Sequence, residues 1–577
     1  MRKLLKYLDN REKLMVFLGI FFVIIQVWLE LKMPEYMSAI TMLIEAEGSG
    51  LSEILKNGGY MLSCAVGSML ATVVTGYFAA RVSASLSLKL RGRMFRQVMG
   101  FYEEEMAHFS TPSLITRTTN DITQVQMLVA MGLQIITKTP VMLVWGIAKI
   151  MGKRWQWSAA TAGAVMLIVA VLMAAVFLAL PKFQVIQKLT DDLNRVTREN
   201  LTGIRVIRAY NAERHQQEKF EQANAALTDT NLFANRVTAL LMPTMTFITA
   251  GISLAIYWIG AYLLNGGQMM EQLALFSDMV VFSQYAMQVI LAFAMLTVLF
   301  VMLPRVMVSV HRINEVLDRE VKIRDGEGNM EETPEKGKIE FRNVFFRYPG
   351  AGDDVLQDIS FTVSAGETAA IIGATGSGKT TLVNLLMRFR DTDRGEILVD
   401  GRNIRDYRIG TLRDKIGYVS QKAVMFSGSV LSNVVFGQEN TAPARLQEAV
   451  FVSQSREFVE RMPQNIYAKV AQGGANLSGG QRQRLSIARA VCKKPEIYIF
   501  DDSFSALDYK TDRELREALS RYSRDATKLI VAQRIGTIRH ADQIIVLEGG
   551  RIVGKGTHRE LMEDCQVYRE IAFSQLS

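Results

Sequence analysis

Gly373 to Thr380 reads GATGSGKT, set between the short apolar run AAII, Ala369 to Ile372, and the apolar-periodic stretch TTLVNLLMRF, Thr380 to Phe389. The spacing is G-x-x-x-x-G-K-[ST] after a strand and before a helix, a context that makes the motif specific. Glycines let backbone N–H groups approach phosphate oxygens. Lys379 supplies a positive charge to the outer phosphates, and the Thr380 hydroxyl can ligate Mg²⁺. Well downstream, the apolar run IYIF, Ile497 to Phe500, ends in Asp501, as expected of a strand that presents a carboxylate towards the Mg²⁺ of such a site. Upstream, alternation in KIEFRNVFF (Lys338 to Phe346) and DISFTVS (Asp358 to Ser364) predicts antiparallel-type strands. Together these stretches predict an α/β nucleotide-binding domain over 337–577, preceded by a charged, Gly- and Pro-bearing linker over 321–336.

The residues before that linker have a different solvent. Of 577 residues, 49% are hydrophobic and 21% charged, too apolar for disorder and richer in apolar residues than an ordinary soluble enzyme. Six runs are long enough to cross a bilayer, which takes about 20 residues as a helix. They cover Leu14 to Leu29 (extending past Pro34 to Ile44), a stretch within Ile54 to Ala80, Val125 to Ile150, Trp157 to Leu180, Met242 to Leu264 and Leu275 to Leu303. Residues 1–320 are therefore expected to form a six-helix membrane domain. The basic amino-terminus resembles the start of a signal peptide, but no small-x-small cleavage site follows it, so it reads as uncleaved.

Lys and Arg stay on the cytoplasmic side. The segments Lys89 to His108 and Lys182 to Phe220 carry Arg91, Arg93, Arg96, Arg195, Arg198, Arg205, Arg208 and Arg214, and are placed inside. With little Pro or Gly, they read as helices continuing into the cytoplasm. The outer loops at Glu45 to Glu53 and Gly266 to Glu271 carry more acid than base. Lys149, Lys153 and Arg154 disagree, falling where an even count of spans puts the outside. The net charge of +9 is assigned to residues flanking the membrane, and no nucleic-acid partner is expected. Cys64, Cys492 and Cys565 lie far apart and support neither a disulfide framework nor a zinc site. No ionisable cluster is expected inside a span, since Glu30 and Lys32 at i,i+2 do not share a helix face.

At this point the chain resembles the ATP-binding cassette (ABC) transporters, specifically an exporter-type half-transporter. The resemblance covers essentially all of it. It implies a multidomain membrane protein, a six-helix all-α transmembrane domain of the type I exporter or type IV ABC fold fused to an α/β P-loop domain, with ATP and Mg²⁺ as cofactors. Tyr348 in FRYP matches the aromatic that stacks on adenine, and Gly373, Ala374, Thr375, Gly376, Ser377, Gly378, Lys379 and Thr380, with Thr381 after them, match the Walker A phosphate loop. Gln421 in YVSQ matches the Q-loop glutamine, which with Thr380 and Asp501 would face the metal. Leu477, Ser478, Gly479, Gly480 and Gln481 match the signature that serves a partner's ATP, and Asp508 in SALD matches the D-loop. The helical turns near Thr111 to Asp121 and Asn211 to Lys219 match the family's coupling helices.

Two positions depart from the family pattern. Asp502 stands where Glu normally polarises the attacking water, one methylene shorter, or about 1.5 Å of reach, and misplacement by about 1 Å can cost on the order of 100-fold. Gln533 replaces the switch histidine; it can donate a hydrogen bond but cannot become cationic. Gln472 also stands where many relatives carry Glu. The resemblance then implies a hydrolysis-impaired site on this chain and a competent one across from its intact signature. The expected partner is a second half-transporter with Glu and His in place. Alternatives are a homodimeric exporter and an ATP-gated regulatory or channel-like subunit. The expected substrate is an amphipathic small molecule, lipid or peptide, and the expected location is the bacterial plasma membrane, multi-pass, with the nucleotide-binding domain cytoplasmic.

Overall fold

Among the described residues six helices are long and apolar enough to cross a membrane: Asn10–Ile44, Leu51–Met99, Thr111–Met151, Trp155–Thr202, Glu213–Leu264 and Ala274–Leu296. The computed structural model describes residues 6–45, 51–151, 154–264, 269–326, 336–438 and 441–576. Most of the expected linker, 327–335, and the centres of both expected outer loops lie outside the described residues. The chain divides into two units, Met1–Met99 with Ser110–Arg319 and Gly100–Phe109 with Glu320–Ser577.

In chain order the helices are α1 (Asn10–Glu45), α2 (Leu51–Met99), α3 (Glu103–His108), α4 (Thr111–Thr116), α5 (Ile122–Met151), α6 (Trp155–Thr202), α7 (Ile204–Ala209), α8 (Glu213–Ala239), α9 (Leu241–Leu264) and α10 (Met269–Leu317). All but α3 belong to the first unit. At 49 residues α2 is about 74 Å long at 1.5 Å per residue, more than twice the ~30 Å hydrocarbon layer. Its charged second half therefore extends beyond the bilayer, as the distribution of basic residues requires. Val23, Val27 and Leu31 of α1 pack with Met142, Trp157, Ile256, Phe282 and Val289 in one apolar core. Small residues allow close approach: a Cβ on Gly260 would stand 2.3 Å from Met279 Sδ. Large apolar side chains such as Phe17, Phe177 and Trp258 remain exposed on the outside, as a lipid solvent permits.

The expectation of no ionisable cluster within the spans is overturned. Glu30 Oε1 of α1 accepts from Lys138 Nζ of α5 at 2.8 Å, from Gln26 Nε2 at 2.8 Å and from Ser68 Oγ of α2 at 3.3 Å. Further along α1, Glu35 pairs with Lys149 of α5 and with Lys32. Glu30 and Lys32 indeed do not meet; Lys32 pairs with Glu35 at i,i+3 on its own helix, whereas Glu30 finds Lys138 on another, which helix periodicity alone does not reveal. Lys149, which opposed the charge rule, lies against a carboxylate, while Lys153 is outside the described residues. Both expected coupling segments fall in one unit. Thr111–Asp121 and Asn211–Lys219 group with the membrane unit, whereas the residues that group with the second unit are Gly100–Phe109.

The second unit is built on strands β1 (Ile339–Phe346), β2 (Leu356–Val363), β3 (Thr368–Gly373), β4 (Arg394–Val399), β5 (Arg402–Asn403), β6 (Ile416–Val419), β7 (Gly428–Ser429), β8 (Lys469–Val470), β9 (Ile497–Asp501), β10 (Thr527–Val531), β11 (Gln543–Glu548) and β12 (Arg551–Gly556). The larger sheet has the order β12-β11-β3-β10-β9-β6, with β11, β3, β10, β9 and β6 mutually parallel and β12 antiparallel. Its central strands are apolar on both faces. Ala370, Ile372, Tyr498, Phe500, Ile544 and Val546 enter one core, while Ala369, Ile371, Ile497, Ile499, Ile545 and Leu547 enter the other. This double burial is why AAII and IYIF read as unbroken apolar runs. The second sheet, β2-β1-β4-β5, is antiparallel, and Phe341 of β1 stacks on its cross-strand partner Phe361 at 4.5 Å between ring centroids. The parallel strands all point their carboxyl ends to one edge, where open α/β sheets place ligands.

Candidate functional site

The loop that leaves β3 turns directly into helix α11 (Lys379–Leu386). Glycine is required there for steric reasons. A Cβ on Gly373 would stand 2.1 Å from the carbonyl oxygen of Leu547, and Gly378 has φ +97° with Leu356 Cδ2 only 2.6 Å from where a Cβ would sit. The resulting loop wraps back on its own lysine. Lys379 Nζ donates to the carbonyl oxygens of Gly373 and Ala374, each at 2.7 Å. Burial lowers the pKa of this ammonium, against the opposing pull of the Asp502 and Asp501 carboxylates. A buried cation held by two carbonyl oxygens and by Ser377 Oγ at 3.4 Å is suited to receiving an anion.

Around this loop lies a cleft of ≈ 410 Å³ whose walls include Tyr348, Thr375, Gly376, Gly378, Lys379, Thr380, Thr381, Gln421, Asp501, Asp502 and Gln533. Gly373, Ala374 and Ser377 of the same loop do not line the cleft and instead accept from Lys379 Nζ. The carboxylates come from the end of β9. Asp501 is 2% exposed, and its Oδ1 accepts from the Thr380 hydroxyl at 3.4 Å. Burial pushes the Asp501 carboxyl above its usual range; the Thr380 hydroxyl and Lys379 oppose this, while the Asp502 charge reinforces it. Asp502 follows with φ +46°, a left-handed turn that carries its side chain off the strand, and its N–H donates to Val531 O of β10 at 2.9 Å. Asp502 Oδ2 accepts from Gln421 Nε2 and from Gln533 Nε2, both at 3.1 Å. The two residues that depart from the family pattern thus bind each other across the cleft, with Gln421 as the third member. Gln533 is anchored in turn by Gln575, whose Nε2 donates to Gln533 O at 2.6 Å.

Tyr348 forms the other end of the cleft, its hydroxyl 3.1 Å from Thr381 Oγ1. The oxygens of Thr380, Asp501 and Gln421 are hard donors of the kind Mg²⁺ takes, so the donor set fits that ion.

The signature residues lie elsewhere. Ser478 caps helix α12 (Gly479–Lys493): its Oγ accepts from Gln481 N at 3.2 Å and its N–H donates to Gln481 Oε1 at 2.9 Å. None of Leu477, Ser478, Gly479, Gly480 and Gln481 lines the cleft, nor does Asp508, which caps helix α13 (Tyr509–Tyr522) through Thr511 N at 3.0 Å. Sequence reasoning missed Val355, Val531 and Gln575. The first two are apolar residues of the cleft wall, and Gln575, on the last helix, touches Gln533 without lining the cleft, so no motif marked them.

Residues 356–505 match the ABC transporter family and residues 16–305 match the ABC transporter transmembrane region. An uncharacterized ABC transporter ATP-binding protein of Mycobacterium tuberculosis is 38% identical over 530 residues, 90% of this chain and 89% of the relative. An uncharacterized ABC transporter ATP-binding protein of Bacillus subtilis is 35% identical over 90% of this chain and 89% of its own length. An ATP-dependent lipid A-core flippase of Pseudomonas putida is 31% identical over 85% of this chain and 81% of its length. The solved structure of a bacterial Atm1-family ABC exporter with ATP bound superimposes with a TM-score of 0.79 at 22% identity, covering 99% of both chains, and so shares the fold. With a matching membrane region ahead of a matching cassette, and relatives aligned along nearly its whole length, the chain belongs to the ABC transporters, membrane ATPases that here carry both regions in one polypeptide.

Proposed function

We propose that this chain exports amphipathic or hydrophobic molecules across the bacterial plasma membrane by alternating access, as the half of a heterodimer whose own ATP site hydrolyses poorly. Tyr348 stacks on adenine. The loop N–H groups with Lys379, Thr380 and Thr381 hold the phosphates, and the signature Leu477 to Gln481, followed by Asp508, serves the partner's ATP. Thr380, Gln421 and Asp501 would hold Mg²⁺, which when bound supplies charge neutralisation on the phosphate oxygens. A substrate of lipid-like chemistry is supported by the relatives named lipid A-core flippases.

One observation carries the impaired-site reading. Asp502 is one methylene shorter than the expected Glu, and its Oδ2 is already bonded to both Gln421 and Gln533. Both bonds fall on Oδ2, leaving Oδ1 to meet a water, but on a side chain one methylene shorter and tethered by two amides that oxygen is poorly placed to reach it. Gln533, neutral at every pH, cannot supply the positive charge that a histidine can bring to a γ-phosphate.

The test is Mg-ATPase activity of the chain purified alone in lipid, with ATP binding measured in parallel. Binding with negligible turnover is expected, and Asp502→Glu with Gln533→His should raise turnover by about 10- to 100-fold. Robust turnover of the unmodified chain would instead mean a working homodimer, and no change in the double variant would reject the impairment.

A further inference from the structure

Tyr348 has a second neighbour, which joins it to a remote part of the sequence. The Arg390 guanidinium lies 4.7 Å from the centroid of the Tyr348 ring, within cation–π range, and Phe346 meets the ring edge-on at 5.0 Å. Arg390 does not line the cleft; its side chain is 11% exposed and sits behind the ring. Its Nε donates to Glu103 Oε2 at 2.6 Å. Glu103 begins α3, which lies in the chain between α2 and α4, both in the membrane unit, yet α3 belongs to the cassette unit. The two acids that follow are engaged as well. Glu104 pairs with Lys322, and Glu105, 2% exposed, accepts from the backbone N–H groups of Lys322 and of Tyr102. Three consecutive carboxylates are thus all engaged, the first by Arg390 and the next two by Lys322, which fixes the register of α3. Only the first is connected to a residue of the cleft, Tyr348, by way of Arg390.

We propose that Arg390 is a positioning residue that ties the orientation of Tyr348 to Glu103, so that affinity for the adenine of ATP depends on the position of the segment joining two membrane helices. The proposal rests on the reading of Tyr348 as the adenine platform. A guanidinium bonded through Nε to a carboxylate is held in one plane, and a fixed plane behind an aromatic ring limits how far the ring can turn. Drawing Glu103 away leaves a largely buried Arg390 without its carboxylate. The guanidinium then reorients, and the ring loses its support. Because binding couplings are reciprocal, adenine seated on Tyr348 in turn favours the position of α3 in which Glu103 reaches Arg390. The phosphates are held by the glycine loop and Lys379, and are outside this relay.

The experiment is isothermal titration of the full chain in lipid nanodiscs with ATP and, separately, with inorganic tripolyphosphate, which carries the phosphates without the base. Five proteins are compared: unmodified, Tyr348→Ala, Glu103→Gln, Arg390→Lys and the double variant of Tyr348→Ala with Glu103→Gln. Glu103→Gln keeps shape and removes the charge, and Arg390→Lys keeps charge and removes the plane. Both should weaken ATP binding by about 3- to 10-fold while leaving tripolyphosphate unchanged, and Glu103→Gln should add nothing in a Tyr348→Ala background. If Tyr348→Ala binds ATP as tightly as the unmodified chain, the platform reading itself fails. If Tyr348→Ala weakens ATP but Glu103→Gln does not, the relay is overturned and the platform stands. Equal weakening of ATP and tripolyphosphate by Glu103→Gln would show a general structural role and would also overturn the relay.

Discussion

The pair formed by Glu30 and Lys138 offers a quantitative test of the membrane unit. Removing one partner of a buried ion pair costs about 3–5 kcal/mol, because the remaining charge is stranded, whereas replacing both with neutral groups of similar volume is often nearly neutral. Here the side chains are 17% and 27% exposed, and Glu30 keeps bonds from Gln26 and Ser68, so a single replacement should cost less, about 2–3 kcal/mol. The perturbation is a cycle of Glu30→Gln, Lys138→Met and the double variant. The double variant should recover most of the loss of Lys138→Met, giving a coupling of about 2 kcal/mol, roughly thirtyfold in the folded-to-unfolded ratio. Unfolding of the full chain in mixed micelles by a denaturing detergent, followed through tryptophan fluorescence, reads this directly. Additive single losses, with a coupling under about 0.5 kcal/mol, would refute the reasoning and leave the two residues as independent polar groups.

Other outcomes follow from the cassette. Gly378→Ala combines a left-handed backbone with a Cβ 2.6 Å from Leu356, and should destabilise the cassette by about 2–4 kcal/mol and abolish ATP binding, checked by thermal unfolding and titration. For Lys415, burial alone would lower the pKa, but the Asp400 and Glu496 carboxylates at 2.8 and 2.7 Å overcome it and hold the ammonium above its ordinary value. A raised pKa on a base means stability present throughout the neutral range and lost only as pH climbs past about 10.4 through the folded-state value. Alkaline titration of unfolding should therefore show a fall that Lys415→Met lacks, and identical profiles would remove the ion pair from the account.

Much of the architecture was legible because it is written in local periodicity. Runs such as Trp157 to Leu180 are long and apolar whatever surrounds them, and the strand–loop–helix around GATGSGKT follows from glycines whose allowed backbone conformations are local. The third expected span, Val125 to Ile150, lies within a continuous helical stretch, Thr111–Met151. The sequence also singled out Asp502 and Gln533 as departures at two separate positions, but not that Gln533 and Gln421 would both bond the same oxygen of Asp502.

By itself, then, the sequence determined six membrane-crossing helices, an α/β cassette, its phosphate loop and the two unusual residues of the site. Only the tertiary structure decided that Glu30 meets Lys138, that α3 joins the cassette unit, and that Arg390 stands between Tyr348 and Glu103. The physical reason is range. Backbone conformation and burial pattern are properties of a few neighbouring residues, whereas a salt bridge or a stacked guanidinium joins side chains far apart in the chain, and its partners are defined only after helices and strands have packed.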